Sequence, residues 1–239
     1  MENKKTKNMV SIVIPTLNEA SGIRKTIDSI PVETLRKMGF DTEIIVVDGG
    51  STDGTDRIVK ELGARVVYEF RRGYGRAYKT GFNEARGDII VTLDGDGSYP
   101  SEYMPQLIKF LIENELDMVI GQRIPEQGAM SKINALGNYI LTMVIRMLFR
   151  IDVKDSQSGM WLIKKDVLKD IMPRGNGMEF SEEIKIKACL CGNRVREFPV
   201  PYRKRLGKVK LRRFRDGIRN LLYIFVIFLR SHFGKRCYR

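Results

Sequence analysis

The chain has 239 residues, 43% hydrophobic and 30% charged, a content that can bury the core of one globular domain and that speaks against a disordered or low-complexity chain. Its net charge is +13, yet 15 basic and only 2 acidic residues lie between Arg194 and Arg239, so the body before them is neutral and is a poor nucleic-acid surface. Three cysteines, Cys189, Cys191 and Cys237, make neither a disulfide framework nor a four-ligand zinc site, which points to a reducing compartment.

Residues 1–8 are polar and lysine-rich with no apolar h-region, and read as a tail without a secretory signal. Strands are predicted at residues 10–14, 43–47, 64–68, 89–93 and 118–120, and helices at 20–30, 53–62, 76–85 and 101–113. This alternation predicts an α/β fold with a mostly parallel sheet flanked by helices. In such sheets ligands sit beyond the carboxyl ends of the strands. Residues 133–149 form an apolar helix with Ile133, Leu136, Ile140, Val144 and Leu148 on one face, open at this stage between core packing and membrane contact. A helix at 180–191 and a strand at 195–200 follow. The apolar run 221–229 is too short to span a bilayer. It is expected to belong to an interfacial amphipathic helix with Leu221, Leu222, Phe225, Phe228 and Leu229 toward lipid, a core or dimer contact being the alternative. The expected organisation is a tail at 1–8, a catalytic domain at 9–202 and a basic, apolar membrane-association segment at 203–239.

Three predicted strands end in polar loops: Pro15-Thr16-Leu17-Asn18-Glu19, Asp48-Gly49-Gly50-Ser51-Thr52-Asp53-Gly54-Thr55, and Asp94-Gly95-Asp96-Gly97. Any one of them can be ordinary turn and cap chemistry, with Asp53 or Ser51 starting a helix. Asp94 and Asp96, separated by one glycine after an apolar strand, offer two hard oxygen ligands that suit Mg²⁺ or Mn²⁺ bridging a diphosphate. A dinucleotide site is disfavoured because Pro-Thr-Leu-Asn-Glu occupies the place of the glycine fingerprint. Gly73-Tyr74-Gly75 is expected instead to be a flexible loop over the donor. The single histidine, His232, lies in the basic tail, so histidine-based catalysis is excluded.

Taken in order, these loops together with Gly121-Gln122-Arg123, Asp155-Ser156-Gln157-Ser158-Gly159-Met160-Trp161, residues 180–188, Glu197-Phe198-Pro199-Val200-Pro201-Tyr202 and Gly207-Lys208-Val209-Lys210-Leu211 resemble family-two glycosyltransferases. The narrower resemblance is to the dolichyl-phosphate mannose and glucose synthases, and it covers nearly the whole chain. It implies a GT-A, Rossmann-like fold and a catalytic set of Asp94, Asp96, Asp155 and Arg123. It implies a donor pocket of Pro15, Leu17, Glu19, Asp48, Gly75 and Gly95 with Asp94 and Asp96, in which the two aspartates hold the metal. Arg123, Arg205 and Lys210 would receive phosphates. Gly49, Ser98, Trp161 and Val209 depart from the residues common in these synthases.

The implied donor is a nucleotide sugar, with UDP favoured over GDP, and the implied acceptor is dolichyl or polyprenyl phosphate, glycosylated with inversion at the cytoplasmic face of a membrane by a peripheral enzyme. Its phosphate oxygen is already anionic and needs no strong general base. Arg203, Lys204, Arg205, Lys208, Lys210, Arg212, Arg213 and Arg215 would meet that phosphate and anionic headgroups. A processive polysaccharide synthase is disfavoured by the missing Gln-x-x-Arg-Trp motif. A nucleic-acid-binding role for the basic tail is the distant alternative.

Overall fold

The computed structural model describes residues 8–207 and 213–233. Seven strands form one sheet: β1 (Asn8–Thr16), β2 (Phe40–Asp48), β3 (Arg65–Tyr68), β4 (Ile89–Thr92), β5 (Met118–Pro125), β6 (Trp161–Lys164) and β7 (Val195–Tyr202), in the spatial order β3-β2-β1-β4-β6-β5-β7. The pairs β1·β2, β2·β3, β1·β4 and β5·β7 are parallel, and β6 runs antiparallel between β4 and β5. The mostly parallel sheet is as expected from the sequence. Strand β6, four residues long, was not anticipated, because so short an apolar run carries no period of its own.

Alternation along the strands sends side chains to two cores. Val10, Ile12 and Ile14 of β1 join Val46, Val91 and Leu162 on one face, under α1 (Ile23–Asp28), α2 (Val32–Lys37) and α5 (Met104–Glu113). Helix α3 (Thr55–Glu61) closes the same side with Val59. Val13, Ile45, Val47 and Ile90 meet an aromatic group of Tyr78, Phe82, Trp161 and Phe180 on the other, under α4 (Tyr74–Glu84), α7 (Lys165–Ile171) and α8 (Phe180–Leu190). Each such buried side chain stabilises the fold by about 1.5–3 kcal/mol.

Helices α6 (Lys132–Phe149) and α9 (Arg213–Phe233) build a third, smaller core with α8, made of Leu141, Ile145, Phe149, Ile186, Ile224 and Ile227. The core reading of α6 holds for Leu141, Ile145 and Phe149, whereas Ile133, Leu136, Tyr139, Ile140 and Met147 are exposed. Helix α9 likewise buries Asn220, Ile224 and Ile227 and exposes Ile218, Leu222, Phe225, Val226 and Leu229. Leu221 and Phe228, expected to face lipid, are partly buried against the third core. Among the described residues no helix is long and apolar enough to cross a membrane.

Candidate functional site

The ends of β1 and β2 are locked together by the polar residues that follow them. Asn18 adopts a left-handed conformation, φ 54°, which its short side chain tolerates. Its backbone N–H donates to Ser51 Oγ at 2.8 Å, and its Oδ1 accepts from the Thr52 N–H at 2.7 Å. The Glu19 and Ala20 N–H groups donate to Thr55 Oγ1 and Asp53 Oδ2 at 2.9 and 3.0 Å. Asp53 also accepts from the Thr55 N–H at the start of α3, but the N-cap position is Gly54, so Asp53 ties the loops together from one residue before the cap. Asp48, 1% exposed, accepts from the N–H groups of Gly50 and Ser51 at 2.9 and 2.8 Å and from Thr16 Oγ1 at 3.3 Å.

Asp94 and Asp96 follow β4 directly. Tyr74 donates to Asp94 Oδ1 at 3.0 Å, while Asp96 Oδ1 accepts from the Ser98 N–H and hydroxyl at 2.9 and 2.5 Å. Burial and the neighbouring Asp96 push the Asp94 carboxyl up to about 7, against the hydrogen bond from Tyr74 and the positive charges of Arg205 and Arg123. The pair is therefore short of positive charge. Arg205 supplies some of it, with Nη2 3.0 Å from Asp96 Oδ2 and 3.8 Å from Glu19 Oε1. Arg205 Nε is buried with no hydrogen-bond partner, a donor still open to an anionic ligand. Two hard carboxylate oxygens sharing unbalanced charge fit a divalent cation. Among the described residues no group of three His, Cys, Asp or Glu side chains forms a self-sufficient metal site, so the remaining ligands would have to come from substrate and water.

Arg205 is placed by a strap. The Arg203 N–H donates to the Ser98 carbonyl at 2.9 Å and the Leu206 N–H to the Asp96 carbonyl at 2.8 Å, laying residues 203–207 across the aspartate loop. The start of the basic segment thus belongs to the site. Lys208, Lys210 and Arg212, three of the expected phosphate contacts, lie outside the described residues.

On the other side, Arg123 and Asp155 form a bidentate pair, Nε to Oδ2 at 2.8 Å and Nη2 to Oδ1 at 2.7 Å, with both side chains 10% exposed. Burial alone would raise the Asp155 carboxyl, but Arg123 holds it below the usual carboxylate range. The Arg123 guanidinium also stands 5.3 Å from the centre of the Tyr202 ring. Removing one partner of a buried pair strands the other, so Asp155→Ala is expected to cost about 3–5 kcal/mol of stability, read as a fall in the urea midpoint.

The structure brings Pro15, Leu17, Glu19, Asp48, Asp94, Gly95 and Asp96 to the carboxyl ends of three adjacent strands. Gly75 is the exception. It lies in the first turn of α4, buried, where an added Cβ would stand 2.5 Å from Phe180 Cβ, so the flexible-loop expectation is corrected to a helix start packed on α8. Tyr74, Gly159 and Lys185 fall within stretches named from the sequence but were given no role of their own there. A Cβ on Gly159 would come 2.8 Å from Asp94 Oδ2. Gly159→Ala must displace that carboxylate, and turnover is expected to fall about 10²-fold with an unchanged circular dichroism spectrum.

The model of the glycosyl transferase family 2 domain matches residues 11–172. A low-salt glycan biosynthesis hexosyltransferase from Haloferax volcanii is 33% identical over 91% of this chain, which spans only 53% of that protein's length. A dolichyl-phosphate hexose transferase of the same organism is 32% identical over 87% of this chain and 89% of its own. A crystal structure of glucosyl-3-phosphoglycerate synthase from Mycobacterium tuberculosis with Mn²⁺, UDP and glucosyl-3-phosphoglycerate superposes with a TM-score of 0.74 and 25% identity, covering 92% of this chain and 81% of that one.

Proposed function

Since the chain belongs to glycosyl transferase family 2 and is a glycosyltransferase of GT-A fold, we propose that it moves a hexosyl or N-acetylhexosaminyl group from a nucleotide diphosphate sugar to dolichyl or polyprenyl phosphate. The observation that carries the reading is the meeting of Asp94 and Asp96 with Arg205 at the end of β4, close to the Arg123–Asp155 pair. The printed names of the relatives agree in one respect. The dolichyl-phosphate hexose transferase and the glucosyl-3-phosphoglycerate synthase are each named for a molecule that carries a phosphate.

The donor's base and ribose would lie over Pro15, Leu17, Glu19 and Asp48, where the interlocked loops make a rigid floor. Its diphosphate would reach Asp94 and Asp96, which would hold Mg²⁺ or Mn²⁺. When bound, the cation neutralises charge on the departing nucleotide diphosphate. Arg205, beside Asp96, would offer its open Nε to phosphate. An acceptor phosphate oxygen needs no base to remove a proton. It attacks the anomeric carbon from the face opposite the leaving nucleotide, forming the new C–O bond as the old one breaks and inverting the centre. The residues therefore act by orienting two anions and screening their repulsion.

A peripheral position at the cytoplasmic face of a membrane completes the reading. The exposed apolar residues of α6 and α9 would enter the interface, beside the exposed cations Arg215, Arg219 and Arg230. The test is incubation of the purified protein with polyprenyl phosphate and, separately, UDP-glucose, UDP-N-acetylglucosamine or GDP-mannose, with the product identified by mass. A glycolipid from one donor is the expected result. Nucleotide release with no glycolipid from any donor would overturn the acceptor assignment.

A further inference from the structure

We infer that α9 is part of the acceptor side of the site as well as an anchor, because Glu182 is a positioning residue that joins Asn220 of α9 to Gln157, while Lys185 holds the same loop. The inference rests on the proposed function, with Arg123, the partner of Asp155, as a contact of the acceptor phosphate. Glu182 is fully buried, and its Oε1 accepts from Gln157 Nε2 at 2.6 Å and from Asn220 Nδ2 at 3.1 Å. Asn220 is only 6% exposed, so the link runs through the interior. Lys185, 1% exposed, donates to the carbonyls of Ser156 and Ser158 at 2.7 and 2.6 Å and to Ser181 Oγ at 3.0 Å. The loop held in this way carries Asp155, paired with Arg123, at one end and Gly159, against the Asp94 carboxylate, at the other. A displacement of its middle is passed to both.

Stability alone does not account for the arrangement. Glu182 Oε2 and Asn220 Oδ1 are buried without a hydrogen-bond partner, and orphaned buried acceptors are costly. Apolar side chains of similar volume would join α8 to α9 without that cost. Burial also pushes the Glu182 carboxyl up to about 7 and the Lys185 amine down to about 7, which is the further cost of keeping ionisable groups there. A polar junction kept under these conditions gives direction where apolar packing would give only contact. Since α9 carries exposed Leu222, Phe225 and Leu229, whatever seats α9 also places Asn220, and through Glu182 it places Gln157.

The test separates positioning from anchoring by removing the membrane. Steady-state kinetics are measured on the full chain with a water-soluble, short-chain polyprenyl phosphate and no vesicles, for Asn220→Leu, Gln157→Leu and the double variant. Each single change is expected to lower kcat/KM for the acceptor about tenfold, with KM for the nucleotide sugar unchanged, and the double variant is expected to be no worse than the weaker single. An Asn220→Leu enzyme with parental kinetics on the soluble acceptor, or strictly additive losses, would overturn the relay. Hydrogen exchange on the unaltered chain decides the same question without substitutions or turnover. Phosphatidylglycerol vesicles should slow exchange at residues 156–159 together with α9, and protection confined to α9 overturns the inference. Absence of turnover with every donor is instead a failure of the proposed reaction, and the exchange result stands apart from it.

Discussion

Asp96→Asn is expected to lower glycosyl transfer on the order of 10²–10³-fold while leaving the thermal transition close to that of the parent. Metal ions at such sites contribute several kcal/mol of charge stabilisation, and each 1.36 kcal/mol or so is a factor of ten in rate. Asp96 is the better target of the two because its geometry is fixed from both sides. Ser98 holds Oδ1, and Oδ2 faces Arg205 at 3.0 Å. The amide is isosteric and can keep the Ser98 contact through its oxygen, so the loop retains its shape while the second ligand charge is lost. It also turns a donor toward Arg205, which loosens that side chain while the backbone hydrogen bonds of the strap remain. Chelation by EDTA should reproduce the loss in the parent, and added Mn²⁺ or Mg²⁺ should reverse it. An undiminished rate in a chelator-treated sample freed of metal would remove Asp94 and Asp96 from any role as ligands.

The site was legible in the sequence wherever it lies at a strand end. Alternating apolar runs located β1, β2 and β4, and the acidic loops after them are brought together by the parallel register that pairs Thr16 with Asp48 and Val13 with Thr92. What stayed hidden depends on contacts across long stretches of chain. Strand β6 enters the sheet antiparallel between β4 and β5 and sets Gly159, two residues before it, against the Asp94 carboxylate, an insertion that no local period announces. Gly75 read as loop because glycine is permissive, whereas here its missing side chain makes room for Phe180. Glu179, Glu182, Glu183 and Lys185 look like an ordinary solvated helix face, yet all four are buried because α9 and the 155–159 loop cover them. Charge density in a sequence does not report what a distant helix will lay over it.

The largest expected effect on membrane binding comes from the exposed face of α9. Deleting the helix would report on folding as much as on binding, since it would uncover Leu141, Ile145, Phe149 and Ile186 and leave Glu182 and Glu183 without Asn220 and Tyr223. Substituting Leu222, Phe225 and Leu229 together by Ser avoids that difficulty, because these side chains are 62%, 45% and 53% exposed and contribute little to the core. Full burial of one such side chain in an apolar phase is worth about 1.5–3 kcal/mol, and interfacial insertion to roughly half that depth leaves about 1 kcal/mol each. Three of them correspond to a partition coefficient lower by about 10²-fold. The cations nearby add about 1 kcal/mol each on anionic lipid, a contribution that salt screens and that the substitutions leave in place. The triple variant is therefore expected to melt like the parent, to sediment weakly with anionic vesicles at low salt, and to be released by salt that leaves the parent bound. Equal sedimentation of the two proteins at both ionic strengths would place the membrane contact elsewhere and return the exposed residues of α9 to the alternative of a contact between two copies of the chain.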